Sequence, residues 1–110
     1  MFILDWNQQF PDAYDFLNTL LTTSEIPVNN STMYSNKQVD SWLATAATEV
    51  NAEQRLQLYK DATVQIMKDA TWVPLYYGKA TYAIQPWVHG YYINNSEVDP
   101  LKYIWVDQTH

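Results

Sequence analysis

Trp6-Asn7-Gln8-Gln9-Phe10-Pro11-Asp12 is the stretch of this chain that carries the most chemistry: one indole, a triplet of side-chain amides and one acid. Phe2, Leu4 and Trp6 alternate before it and predict a half-buried strand with period two. Pro11 pushes Phe10 out of helical torsions. Asp12 is placed to accept from the orphan amides of a following helix, and Asp15 adds negative charge to the first turn. The stretch is therefore a polar loop between a strand and a capped helix, and loops held by rigid elements are where binding groups sit. An ordinary strand-to-helix connection accounts for the same residues.

Bond-making chemistry has little support. His89 and His110 are the only histidines, and neither forms an i, i+4 pair with another ligand type. Helix capping explains Asp12 and Asp15 at least as well as a carboxylate pair does. Two glycines cannot build a phosphate loop, there is no cysteine, and no serine stands in a nucleophile motif. The sequence predicts no enzyme, no metal site and no cofactor.

The elements that must position the loop follow in order. A first helix is predicted from Ala13 to about Thr22, burying Phe16, Leu17, Leu20 and Leu21. Ser24–Thr32 reads as a surface loop. Asn36 caps a second helix with Val39, Trp42, Leu43, Ala46, Ala47 and Val50 inward. Asn51 and Gln54 form a capping box for a third, with Leu56, Tyr59, Thr63, Ile66 and Ala70 inward. Glu53, Arg55, Gln57, Lys60, Asp61 and Lys68 form its solvated face. Beyond it, Trp72–Tyr77 is a short apolar run rich in strand formers, and Pro74 makes it an edge or crossover strand. Ala80–Gln85 alternates, Pro86–Tyr92 is an irregular aromatic segment whose Gly90 calls for positive φ, and Leu101–Val106 closes the chain as a strand.

Composition narrows the partners. One domain at most fits in 110 residues. Six basic residues, scattered along the chain, stand against twelve acidic ones, which argues against nucleic-acid binding. Five tryptophans, nine tyrosines and three phenylalanines fill a core or stack on a ligand, and composition does not choose. No run spans a bilayer and no signal peptide precedes the first strand. Met1 directly before a central-looking strand suggests an excised piece of a longer protein. Sequons begin at Asn29, Asn30 and Asn94.

Six strings in order resemble the C-terminal segment of the family 5 extracellular solute-binding proteins, the oligopeptide, dipeptide and nickel receptors of ABC importers. They are Trp6–Asp12 with Phe16-Leu17; Tyr34-Ser35-Asn36 leading into Val39-Asp40; Arg55 with Leu58-Tyr59; Val73–Tyr77; Pro86-Trp87-Val88 with Gly90-Tyr91; and the closing strand. The resemblance implies an α/β piece of a periplasmic-binding-protein-like II fold, two lobes closing on a ligand by a hinge. Residues 1–70 would belong to the second lobe and residues 71–110 would return to the first. The piece alone should hold about three helices and four short strands, with edges open to self-pairing into a homodimer.

It further implies a small oligomeric solute, peptide or oligosaccharide, bound between the lobes, and permease subunits contacted through the parent. The setting would be extracellular or periplasmic, membrane-associated through the parent. Trp6 matches a pocket tryptophan of the peptide-binding members. Gln9 falls where they keep an aspartate that pairs with the peptide ammonium, with Asp5 the other acid nearby. Tyr76 and Tyr77 match a tyrosine-rich strand near the cleft, and core packing explains them equally. Two other readings compete: a stand-alone interaction domain presenting Pro86–Tyr92, and a carbohydrate-binding module independent of any transporter.

Overall fold

The computed structural model describes residues 3–79, 81–93 and 101–107 of the chain. Three helices make the body: α1 Ala13–Leu21, α2 Lys37–Thr48 and α3 Ala52–Lys68. Each starts at the cap its sequence announces. Asp12 accepts from the Tyr14 amide, Asn36 from those of Gln38 and Val39, and Asn51 from those of Glu53 and Gln54. The capping box at α3 is only half formed. The Asn51 N–H, which Gln54 would take in a full box, donates instead to Glu49 Oε1 at 2.8 Å.

α2 and α3 pack as a hairpin and α1 lies against both. Leu20 and Leu21 of α1, Val39, Leu43 and Ala46 of α2, and Tyr59, Ala62 and Ile66 of α3 form one buried cluster. Trp6, Leu17, Tyr34, Trp42, Leu58 and Trp72 pack around it, partly buried. Several predicted inward positions are corrected. Val50 is 97% exposed because α2 has already ended at Thr48. Leu56, Thr63 and Ala70 are exposed, since α3 turns the Tyr59–Ala62–Ile66 face inward. Ala70 also lies beyond the end of α3 with φ +50, the left-handed position after a helix that favours glycine.

Asn30 cannot serve as a glycan acceptor in this fold. It is fully buried, its Nδ2 donates to the Thr22 and Tyr34 carbonyls, and its Oδ1 accepts from Thr32 and Tyr34. Asn94 lies outside the described residues. A second polar node closes the helical body at Asp69, which accepts from Tyr34 Oη, Asn36 Nδ2 and Gln65 Nε2. The Tyr34 and Asn36 bonds hold its carboxyl below the usual range. Burial, and then the Asp69 carboxylate, push the Tyr34 hydroxyl well above the ordinary phenol range.

The strands are the main correction. Among the described residues there are two rather than four, β1 Val88–His89 and β2 Trp105–Val106, paired antiparallel with Val88 opposite Val106. Residues 3–8, 73–77 and 81–85 form no ladder, and the first half of the closing strand is a 3-10 turn over Leu101–Tyr103. An extended segment becomes a strand only when another backbone takes its N–H and C=O groups, and among the described residues no such neighbour pairs with these. The predicted positive φ at Gly90 is found, at +76. A Cβ there would strike the Tyr103 carbonyl oxygen, so glycine is what lets the chain approach the 3-10 turn that precedes β2. No described helix is long and apolar enough to cross a membrane.

Candidate functional site

Two side chains and one main-chain amide converge where the opening loop meets α1. Asp15, in the first turn of α1, is 2% exposed. Its Oδ2 accepts from Trp6 Nε1 at 3.3 Å and from the Gln9 main-chain N–H at 2.8 Å. Asp15 is therefore not a solvated acid serving the helix dipole, as its position in the sequence suggested. It faces the loop and ties two of its residues to one oxygen. A buried carboxylate that lost these donors would carry a desolvation cost of about 1–3 kcal/mol or more.

Asp12 does more than cap. Besides the Tyr14 amide at 2.8 Å, its Oδ1 receives Arg55 Nη2 at 2.7 Å. Arg55 does not stand free on the solvated face of α3, where its spacing places it. Instead its Nε donates to the Ala46 carbonyl at 3.1 Å, its Nη2 also reaches Tyr59 Oη at 3.2 Å, and its guanidinium lies 4.9 Å from the Tyr59 ring centroid. One side chain of α3 thus holds the last turns of α2 and the entry to α1. The Arg55 hydrogen bond, followed by the Tyr14 amide, holds the Asp12 carboxyl below its usual range.

Of the four residues singled out as ligand-contacting, the structure brings two together. Trp6 is half-buried and packs against the core cluster with its N–H held by Asp15. Gln9 is exposed, its main chain fixed and its side-chain amide without a hydrogen bond among the described residues. Beside them, Phe10 and Tyr14 rings lie 6.3 Å apart at 34°, and Asp5 is exposed. Tyr76 and Tyr77 are not part of this group. They are 84% and 102% exposed on an extended segment, and among the described residues no hydrogen bond or ring contact ties them to Trp6 or Gln9.

The holding roles of Asp15 and Arg55 were missed: Arg55 stands in a string that resembles the family but on the polar side of α3, and Asp15 leaves its trace in spacing alone. Asp15, Asn18 and Leu21 recur every three residues, and all three are buried, so an acid in register with a buried leucine was the available signal.

The arrangement offers a fixed aromatic surface, a free amide and no reactive pair. Among the described residues no group of three or more His, Cys, Asp or Glu side chains is placed to hold a metal. His89 Nε2 lies 3.2 Å from Asp107 Oδ2, and its ring stacks on Trp105 at 4.1 Å. A groove of about 380 Å³ runs between α1 and α2 past Tyr14, Asn18, Ser24, Glu25, Asp40 and Ala44. Both of its carboxylates are engaged, Asp40 by Thr23 and Glu25 by Asn29.

Comparison with known proteins gives a consistent set of relatives. The chain is 34% identical over 101 residues, 92% of its length, to the periplasmic oligopeptide-binding protein OppA of Salmonella typhimurium. It is 33% identical over 89 residues to the heme-binding protein A of Haemophilus influenzae. It is 34% identical over 95 residues to the glutathione-binding protein GsiB of Salmonella paratyphi A. These matches cover 81–92% of this chain and only 16–19% of each relative. No family model matches the chain, and no solved structure does.

Proposed function

This chain belongs to the family 5 extracellular solute-binding proteins, and from that membership we propose that it forms part of one wall of a solute receptor serving ABC-transporter import. The receptor is non-enzymatic and works outside the cytoplasmic membrane. Residues 1–70 belong to the second lobe of a two-lobed periplasmic-binding-protein-like fold, and residues 71–110 lead back to the first. Permease subunits are its partners through the remainder of the receptor. The relatives are named for binding oligopeptide, heme and glutathione, which supports a small solute without choosing one.

The observation that carries the reading is the fixed pair Trp6 and Gln9, a half-buried indole beside an exposed amide whose main chain is pinned. An aromatic surface and a few oriented polar groups are what a solute cleft requires. Tyr76 and Tyr77 join the wall when the first lobe covers them, which accounts for two tyrosines so fully exposed in this stretch alone.

Gln9 also sets the kind of solute. A neutral amide cannot replace the charge that an aspartate offers a ligand ammonium, a difference of about 1 kcal/mol or more. Asp15 does not supply it, being buried and already accepting twice. The receptor therefore favours an oligosaccharide, or a peptide that presents no free ammonium at this point.

The test is calorimetry on the receptor that carries this segment, with trialanine, N-acetyl-trialanine and maltotriose as probes. Trp6→Ala should weaken whichever probe binds by about tenfold, the scale of a lost aromatic anchor. An unchanged affinity would contradict a ligand-facing Trp6.

A further inference from the structure

We propose that Asp15 is the positioning residue of this wall, setting the direction of the Trp6 indole and the main chain of Gln9 together through one carboxylate oxygen. The proposal rests on the reading of Trp6 and Gln9 as ligand-facing, and it adds a residue that no ligand touches.

Three observations carry it. Asp15 is 2% exposed, so it cannot itself meet a solute. The start of α1 is already capped by Asp12, which accepts the Tyr14 amide, while Asp15 Oδ2 takes its donors from the loop. Those donors come from residues 6 and 9, which fixes both ends of the segment at once.

An indole N–H held at 3.3 Å to a buried acceptor limits rotation of the ring, whose body packs against the core cluster. The 2.8 Å bond to the Gln9 amide fixes the peptide plane from which the free side-chain amide departs. A ligand meeting this wall then orders little of it, which is the usual gain from preorganisation. Asparagine at position 15 keeps the shape but offers a single neutral acceptor, so it holds both donors less well.

The experiment pairs spectroscopy on the 110-residue chain with calorimetry on the receptor that carries it. In ¹⁵N-labelled chain, Asp15→Asn should shift the Trp6 indole and Gln9 amide resonances and speed their hydrogen exchange. The other four indoles should stay in place. A residue serving only the helix terminus would instead move the Tyr14–Leu17 amides, and that pattern would overturn the proposal. Trp6→Phe, which removes the indole donor while keeping an aromatic ring, provides a cycle that does not depend on Asp15→Asn being fully stable. Against the trialanine, N-acetyl-trialanine and maltotriose panel, Asp15→Asn should weaken binding about fivefold in the native background and less than twofold in the Trp6→Phe background. Equal losses in both backgrounds would overturn the positioning role while leaving the wall reading intact. Unchanged binding in Trp6→Ala would instead remove the wall reading, and the positioning role with it.

Discussion

Leu43→Ala is expected to lower the stability of the chain by about 3–4 kcal/mol, the upper part of the range for a leucine truncated in a close-packed core. Leu43 is fully buried at the centre of the helical cluster. Its main-chain carbonyl also accepts from Asn18 Nδ2 at 3.2 Å, so a backbone shift at this point would disturb the α1–α2 contact as well. Domains of this size are stable by about 5–15 kcal/mol in total, so one truncation would consume a large share. Urea unfolding followed by circular dichroism measures it. Leu43→Met, which conserves volume, should cost less than about 1.5 kcal/mol. Equal losses for the two variants would show that volume at this position does not matter.

Arg55→Ala should cost about 2 kcal/mol, and the loss should depend on pH. The pair with Asp12 is about one-third exposed on each side, so its ionic part is discounted to about 1 kcal/mol. The bond from Nε to the Ala46 carbonyl and the contact over the Tyr59 ring add a comparable amount. Asp12 has its carboxyl depressed in the folded state. Its contribution is therefore complete above the unfolded carboxylate value near about 3.9 and is lost as pH falls through the folded one. Unfolding curves between pH 2 and 7 should show the gap between Arg55→Ala and the native chain narrowing by about half at the acid end, because only the Asp12 pair titrates while the Ala46 bond and the Tyr59 contact remain. A constant difference across that range would mean that the ion pair contributes nothing and that packing carries the whole effect. Arg55→Lys should recover little, because an ammonium cannot reach three partners with a fixed fork.

The helices were readable because their signals are local. Asp12, Asn36 and Asn51 announce their helix starts, and each accepts the amides that capping requires. The inward faces were readable where the 3.6-residue period was uninterrupted, as at Val39, Leu43 and Ala46. Strand content was not readable, because Val73–Tyr77 and the residues near Trp6 are extended by composition and become strands only with a partner backbone. Among the described residues a partner backbone is present between Val88–His89 and Trp105–Val106 alone.

The site was half legible. Trp6 and Gln9 could be named from the resemblance, but the groups that hold them could not. Asp15 looks like a dipole acid and Arg55 like a surface cation, and only the packing of α1 and α3 turns them toward the loop. Residue type reports chemistry, while direction comes from the neighbours a side chain meets after folding. The same limit applies to Asn30, a sequon asparagine whose burial withdraws it from modification.

On the reading proposed above, Gln9, held by Asp15 beside Trp6, offers a ligand ammonium a neutral amide where a carboxylate would pair with it. Isothermal titration of the receptor carrying this segment, with trialanine, N-acetyl-trialanine and maltotriose compared at one pH and ionic strength, tests it most directly. N-acetyl-trialanine or maltotriose should bind more tightly than trialanine, and Gln9→Asp should improve trialanine by about tenfold, the equivalent of one charge-assisted bond. Tightest binding of trialanine by the native receptor would contradict it.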